Sequence, residues 1–224
     1  IQNRLATIQF RLKKPVGEPT NADLEKINIL ILYDTKITGT GLKELTKLRR
    51  MKWLYLDYTN TDDAGLEEVA KLQKLEGLSL SRTKITDLGL KEVAKLQSLT
   101  KLRVDSTKIT DAGLKEVAKL QQLTKLYLSY RITDAGLKDV AKLQKLTFLD
   151  LDRTQITDAG LREVAKLQKL TSLRLTHTKI TDAGLKEVAK LKQLKELDLR
   201  NTQITDEGVA ELQKALPNCR ISGP

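Results

Sequence analysis

The chain has 224 residues, of which 40% are hydrophobic and 31% charged, and it carries a net charge of +11. This composition indicates a globular protein with a sizeable core and excludes a disordered chain. No stretch reaches the roughly 18 consecutive apolar residues that cross a bilayer, which excludes a membrane span. The single cysteine, Cys219, excludes an internal disulfide and a cysteine-built metal site, and the single histidine, His177, leaves little acid–base chemistry near neutral pH.

The first predicted element, residues 1–26, is a degenerate N-terminal capping repeat. Leu5, Ile8 and Phe10 fit a weak form of the L-x-x-L-x-L pattern that recurs later in the chain. Three residues exclude a regular element after them: Pro15, Gly17 and Pro19. The opening IQNRLATIQF lacks the basic and then apolar layout of a signal peptide. Both a cytoplasmic and a secreted location remain open.

A repeat of 24 residues organises residues 27–217. Eight units share the pattern L-x-x-L-x-L-x-x-T-x-I, followed by TDAGLKEVAKLQ or a variant of it. The units begin at Ile27, Met51, Leu75, Leu99, Leu123, Leu146, Leu170 and Leu194, and only the fifth is one residue short. Self-similarity at a fixed period is the signature of stacked structural units, each of which buries its core against its neighbours.

Each unit predicts a strand, a turn and a helix, as residues 99–122 illustrate. Leu102 and Val104 alternate with charged residues, which is typical of a short half-buried strand. Thr110 and Asp111 then supply a capping oxygen and a first-turn negative charge at a helix start. The apolar face of this helix consists of Leu114, Val117 and Ala118. A helix this short is marginal alone, so its stability must come from stacking.

The last predicted element is a C-terminal cap at residues 218–224. Pro217 ends the last helix, and residues 219–221 add one short closing strand. Repeat stacks need such atypical ends, because an uncovered unit exposes its core to water. Cys219 is therefore expected to be a small buried residue of the cap rather than a reactive thiol.

The L-x-x-L-x-L spacing followed by a helix resembles the leucine-rich repeat, and the I-T-D-A-G-L continuation is similar to the subtype of bacterial and F-box-associated repeat proteins. The resemblance covers residues 27–216. It implies an α/β leucine-rich-repeat solenoid, or horseshoe, with a parallel β-sheet on the concave face and short helices on the convex face. The family usually places Asn or Cys where seven units carry threonine: Thr35, Thr59, Thr83, Thr107, Thr154, Thr178 and Thr202. We expect a buried threonine ladder that is irregular in the shortened fifth unit.

Variation between units is concentrated in the strand half, whereas the helical half is nearly invariant. Strand alternation points the third, fifth, seventh and eighth residues of each unit to the concave side, and these 32 positions are named the sheet face. They hold seven of the eight aromatic residues, where about one is expected by chance. The seven are Tyr33, Trp53, Tyr55, Tyr58, Tyr127, Tyr130 and Phe148. Because Tyr, Trp and Arg dominate interface hot spots, this pattern predicts a binding surface. The alternative is that aromatic residues merely favour strands.

Charge on the sheet face is balanced, with seven basic and seven acidic residues, so the excess positive charge lies on the helices and loop edges. A nucleic-acid groove would instead concentrate Lys and Arg beside the aromatic rings. The balance therefore predicts a protein or peptide partner. Five charged residues are predicted to set the register of binding: Asp57, Arg103, Asp105, Asp152 and Arg174.

Enzyme chemistry is not indicated by any spacing in the chain. His177 lies near the rim, and neither Ser172 nor Asp152 completes a nucleophile–base–orienter set with it. The sequence predicts a monomeric, non-enzymatic recognition module with no metal, no cofactor and no small-molecule substrate. Two alternatives remain: a consensus-like structural scaffold without a dedicated partner, and a basic nucleic-acid binder. A diversified or engineered binder fits the same pattern as a natural protein.

Overall fold

The structure is a computed structural model that describes residues 26–223. Nine strands and eight α-helices alternate along this part of the chain. The strands are β1 (Ile29–Ile31), β2 (Trp53–Tyr55), β3 (Gly77–Ser79), β4 (Lys101–Arg103), β5 (Lys125–Tyr127), β6 (Phe148–Asp150), β7 (Ser172–Arg174), β8 (Glu196–Asp198) and β9 (Arg220–Ser222). The helices are α1 (Gly39–Leu42), α2 (Asp63–Val69), α3 (Asp87–Val93), α4 (Asp111–Val117), α5 (Asp134–Val140), α6 (Asp158–Val164), α7 (Asp182–Val188) and α8 (Asp206–Ala215), and a 3-10 helix (Lys43–Lys47) follows α1. The predicted N-terminal cap lies outside the described residues, except for Lys26.

The strands form one open parallel sheet in sequence order from β1 to β9. Equivalent positions of successive units pair, so that Leu78 lies beside Leu102 and Leu102 beside Leu126. The shortened fifth unit keeps this order, because Lys125 pairs with Phe148 at the same position of the next unit. The predicted fold class, a parallel solenoid of strand and helix units, is confirmed.

The hydrophobic core lies between the sheet and the helices. In the fourth unit Leu102 and Val104 of the strand half and Leu114 of α4 are fully buried. Equivalent residues of the other units join them in one continuous cluster, and Cys219 belongs to it at the C-terminal end. Burial of each large aliphatic side chain contributes roughly 1.5–3 kcal/mol. Because each unit covers the core of the next, a single unit on its own would not gain this stabilisation.

A hydrogen-bonded contact joins the starts of successive helices from α2 to α8. The hydroxyl of Thr110 accepts a bond from the Ala112 N–H at the start of α4, and Thr110 itself donates twice to the Asp87 carboxylate of the preceding unit. The pairs that repeat this contact are Asp63–Thr86, Asp87–Thr110, Asp111–Thr133, Asp134–Thr157, Asp158–Thr181 and Asp182–Thr205. Asp111 therefore has two roles. It places a negative charge in the first turn of its own helix, and it binds Thr133 at the helix start of the next unit.

The glycine of the repeated TDAGL motif follows from the same contact. A Cβ atom added at Gly113 would collide with Oδ1 of Asp87 and with the side chain of Leu90, both in the preceding unit. Glycine is thus the residue that admits the carboxylate between two helices. In the TDAGL motif, Thr caps the helix, Asp binds the threonine of the following unit, and Gly leaves room for the aspartate of the preceding unit.

The predicted row of threonines is present and its bonds run within each unit, although Thr35 and Thr202 at its ends are half-buried rather than buried. The Thr107 hydroxyl donates to the carbonyl of Val104 at 2.6 Å, and the other six threonines make the same bond. The fifth unit lacks this residue, and the fully buried Ser129 replaces it by donating to the carbonyl of Thr107 at 2.9 Å. The expected irregularity of the fifth unit is thereby confirmed.

Candidate functional site

The aromatic residues of the sheet face lie outside the core. None of the seven side chains is buried: Tyr33, Tyr58 and Tyr130 are exposed by 56%, 41% and 45%, and the other four are half-buried. Strand alternation explains this placement for Trp53, Tyr55, Tyr127 and Phe148, because their third and fifth positions alternate with the aliphatic fourth and sixth positions that face the helices. The orientation predicted from the sequence is therefore correct for all seven rings.

One aromatic cluster lies near the N-terminal end of the described sheet. The rings of Tyr33 and Tyr58 lie 4.9 Å apart with their planes tilted by 49°. The Arg82 guanidinium lies 4.9 Å from the centre of the Tyr58 ring, a cation–π contact. Trp53 lies over Gly77, where a Cβ atom would overlap its ring. Two exposed aliphatic side chains extend this cluster along β1: Ile29 and Ile31.

A second aromatic cluster lies in the middle of the sheet. Tyr127 and Phe148 are 4.7 Å apart, and each ring has an arginine within cation–π distance. Arg103 lies 5.4 Å from Tyr127, and Arg174 lies 5.6 Å from Phe148. Tyr130 lies apart from this cluster, and its hydroxyl accepts a bond from Nε of Arg131 at 3.2 Å. The sheet face thus presents flat rings together with planar cations, the chemistry of protein interfaces.

Among the predicted register-setting residues, Arg103 and Asp105 pair with each other, and Arg174 pairs with Asp150. Arg103 contacts Asp105 at 2.5 Å, and Arg174 lies 3.6 Å from the carboxylate of Asp150. Burial raises the pKa of Asp150 to about 6, although the Asp152 N–H and the charge of Arg174 act in the opposite direction. Arg103 and Arg174 are half-exposed, so their guanidinium groups are accessible from the sheet face.

Asp57 departs from the sequence prediction. Its side chain is only 8% exposed, and its Oδ1 accepts bonds from the Ser79 hydroxyl at 2.5 Å and from the Ser81 N–H at 3.0 Å. Asp152 makes the equivalent bond to the Thr176 N–H at 2.9 Å, but it remains half-buried. Asp57 therefore presents little surface to a partner and serves to hold the loops of two successive units.

The rim of the sheet face carries left-handed backbone that the sequence analysis does not anticipate. Positive φ angles of 54–59° occur at the eighth position of seven units: Asp34, Tyr58, Arg82, Ser106, Arg153, His177 and Asn201. Tyr130, in the shortened unit, is the exception. Among residues with a side chain, Asn, Asp and His adopt this region most often. In seven units, two residues always separate the aliphatic sixth position from the threonine at the ninth. This constant short spacing could have revealed the tight turn at the end of each strand.

A shallow groove crosses the sheet beside the first cluster. It has a volume of about 320 Å³ and is lined by Ile29, Trp53, Tyr55, Thr100, Lys101, Thr124 and Lys125. Gly77 and the buried Ser79 lie between the two sides of the groove in sheet order, and the ring of Trp53 lies over Gly77 and forms part of the groove wall. Sequence reasoning counts Lys101 and Lys125 among the seven basic residues of the sheet face but assigns them no role. Their shared third position in adjacent units could have identified them as neighbours.

The residues considered for catalysis do not come together. His177 Nε2 lies 3.4 Å from the Asn201 side-chain nitrogen, whereas the Ser172 hydroxyl donates to Glu196 at 3.2 Å. Within residues 26–223, no group of three or more His, Cys, Asp or Glu side chains is placed to hold a metal ion. Over the same range, no helix is long and apolar enough to span a membrane.

Comparison with known proteins gives the same architecture. The structure of internalin C2 from Listeria monocytogenes is 31% identical to this chain with a TM-score of 0.72, covering 92% of this chain and 84% of the internalin. Internalin F from the same organism, at 19% identity and a TM-score of 0.53, covers 97% of this chain and 92% of its own, and it shows likeness of fold alone. No curated protein matches the chain.

Family models place the repeats along most of the sequence. The model of the leucine-rich repeat region matches residues 19–152, and two further leucine-rich repeat models match residues 142–165 and 168–214. The first match alone spans more than half of the chain. The finer subtype suggested by the I-T-D-A-G-L continuation stays a prediction. The chain therefore belongs to the leucine-rich repeat family.

Proposed function

We propose that this protein is a non-enzymatic binding module whose sheet face recognises a protein or a peptide. The observation that carries the proposal is the concentration of exposed and half-buried aromatic rings on one face of the sheet, in two clusters with arginines beside them. Membership of the leucine-rich repeat family supports it, since repeat stacks provide extended binding surfaces.

The proposed anchors are aromatic side chains, which offer a large contact area and lose little conformational entropy on binding: Trp53, Tyr55, Tyr58, Tyr127, Tyr130 and Phe148. Tyr33 extends the first cluster, and Arg103, Asp105, Asp152 and Arg174 set the register. Asp57 contributes by positioning Ser79 and Ser81 rather than by direct contact. Nine strands at about 4.8 Å give a surface roughly 40 Å long, which suits an interface of about 800 Å² per partner.

The binding unit in this proposal is a monomer without cofactor or small-molecule substrate. Residues 27–217 carry the surface in this proposal. A nucleic-acid binder is less well supported, because seven acidic residues balance seven basic ones on the sheet face. A scaffold without a partner would have no reason to keep rings and cations together on that face.

The test is affinity purification with three forms of the chain. The first is the wild type, and the second carries alanine at Trp53, Tyr55 and Tyr58. The third is a matched control with alanine at three exposed lysines of the convex side: Lys91, Lys115 and Lys138. We expect a protein that the wild type and the control retain and the aromatic variant loses, while thermal unfolding shows all three folded.

A quantitative form uses the retained protein. Trp53→Ala should weaken its binding by at least about 2 kcal/mol, or about thirtyfold in Kd, if the ring is a hot spot. Equal retention by all three forms would support the scaffold alternative. Retention of nucleic acid that disappears with salt and ignores the aromatic substitutions would support the nucleic-acid alternative.

A further inference from the structure

The groove beside the first aromatic cluster has two chemically different walls. Ile29, Trp53 and Tyr55 form one wall, on β1 and β2, and Lys101 and Lys125 form the other, on β4 and β5. The third strand between them contributes Gly77 and the buried Ser79 to the sheet face, and the ring of Trp53 extends over Gly77 toward the lysine wall. An apolar side chain fits against the first wall, and an anion fits against the second.

Lys101 and Lys125 are the cationic donors among the residues that line this groove, and the ammonium group of Lys101 also lies 5.5 Å from the centre of the Tyr127 ring. The hydroxyls of Thr100 and Thr124 donate to backbone carbonyls at 2.9 and 3.1 Å, so they are already used. Glu76, at the same edge of the sheet, is paired with Lys52 at 2.7 Å. Within the described residues no carboxylate lies within ion-pair distance of Lys101 or Lys125.

Lys101 and Lys125 are direct partners across β4 and β5, so adjacent strands place like charges side by side. Parallel strands are about 4.8 Å apart, and such a pair repels. Partial burial lowers the pKa of Lys101, and the charges of Lys125 and Arg103 lower it further. A carboxylate placed between the two ammonium groups would relieve this repulsion and satisfy donors on both sides.

Resting on the binding function proposed above, we infer that this groove receives an acidic side chain of a protein partner, with an apolar side chain next to it. The carboxylate binds between Lys101 and Lys125, and the apolar neighbour packs on Trp53 and Tyr55. Partner segments that join Asp or Glu to Leu, Phe or Trp have the required chemistry.

A continuous polyanion fits this face less well than a single carboxylate. Asp105 and Asp152 lie on the seventh positions of the same face, and Glu196 and Asp198 follow on β8. A nucleic-acid strand crossing the sheet would bring its phosphates near these carboxylates. The positive site is local, which favours an isolated acidic residue of a protein.

The experiment is a selection from a phage-displayed library of random peptides on immobilised chain. The forms compared are the wild type, the charge-reversed Lys101→Glu/Lys125→Glu variant and the convex control Lys91→Glu/Lys115→Glu, which makes the same change in net charge. We expect the wild type and the control to enrich peptides with Asp or Glu adjacent to a large apolar residue. The reversed variant should bind those peptides at least about tenfold more weakly and should enrich Lys or Arg instead.

A second variant, Lys101→Gln/Lys125→Gln, removes the charges with little change in shape and should weaken the same peptides without reversing the preference. Enriched peptides without acidic residues, or unchanged affinity in the reversed variant, would overturn the inference while leaving the binding function intact. Selected peptides that a single-stranded DNA oligonucleotide displaces at equal charge concentration would also overturn it. Peptides that bind a Trp53→Ala/Tyr55→Ala variant as well as the wild type would overturn the apolar half of the inference, whereas failure of the folded wild type to enrich any peptide would contradict the binding function itself.

Discussion

The carboxylate of Asp87 binds Thr110 of the next unit through two hydrogen bonds, at 2.8 Å from the backbone N–H and at 2.6 Å from the hydroxyl. Thr110 is also the residue that caps α4. A single aspartate thus stabilises the start of a helix to which it does not belong, and the stack is joined at its helix ends as well as through its core.

Replacing Asp87 by alanine should therefore lower the free energy of unfolding by about 2–3 kcal/mol, because two hydrogen bonds to a charged acceptor are lost. Chemical denaturation followed by circular dichroism measures the change. Glu92→Ala is the control, since it removes an exposed ion pair with Lys95 on the same helix and should change stability by less than about 0.5 kcal/mol. Equal losses in the two variants would contradict the special role of Asp87.

Gly113→Ala should destabilise the chain by about 1–3 kcal/mol, because the added Cβ collides with Asp87 and Leu90. Part of this loss should disappear in an Asp87→Ala background, where the carboxylate is absent. A double-mutant cycle on the two substitutions measures that coupling. Strict additivity would show that the glycine is required for some reason other than the carboxylate.

Ser106→Gly should raise the stability of the chain by about 0.5–1 kcal/mol. The residue is exposed and has a φ of 56°, which strains any residue with a side chain, and this relief exceeds the extra entropy that glycine loses on folding. The control is Lys108→Gly, two residues further along and outside the left-handed region, which should lose up to about 1 kcal/mol. A loss of stability in Ser106→Gly would contradict the strain at the rim.

Titration of Asp150 should make the free energy of unfolding depend on pH. Its folded-state pKa of about 6 lies above the ordinary value of 3.8, so the folded chain binds the proton more tightly than the unfolded chain. This group therefore adds stability as the pH falls through 6, on the order of 1.5 kcal/mol between about pH 7.5 and about pH 5.

Asp150→Asn should abolish that gain, since the amide does not titrate and its oxygen can still accept from the Asp152 N–H. Denaturant unfolding of both forms at the two pH values measures the difference. Asp198 does not interfere, because its hydrogen bonds with Arg200 lower its pKa and move its titration below this window. A stability gain of the same size in both forms would show that another group is responsible.

The fold was accessible from the sequence because a repeat places every unit in the same environment. Leu102 and its equivalents indicate a strand through alternation alone, and the parallel sheet then follows from stacking identical units. The outward direction of rings such as Trp53 and Tyr127 follows from the same alternation.

Contacts between units were less accessible. The burial of Asp57 depends on Ser79 and Ser81 one unit away, and the pairing of Lys101 with Lys125 depends on the register of two strands. The double bond of Asp87 to Thr110 likewise connects residues 23 positions apart. Propensity and capping rules treat one helix or strand at a time, so they describe the start of α4 without showing what holds it from outside.

Because the joint between neighbouring units is built from the same Asp, Thr and Gly at one helix start after another, any two of these units present compatible ends. A whole unit inserted between the fourth and the fifth would find the matching Asp, Thr and Gly on both sides. After removal of a unit, its two neighbours would meet through the same contact. Each insertion would lengthen the sheet face by about 4.8 Å without redesign of the interior. Gene duplication or laboratory recombination could thus change the length of the sheet in uniform steps. The side chains that each strand exposes on the sheet face would remain free to vary.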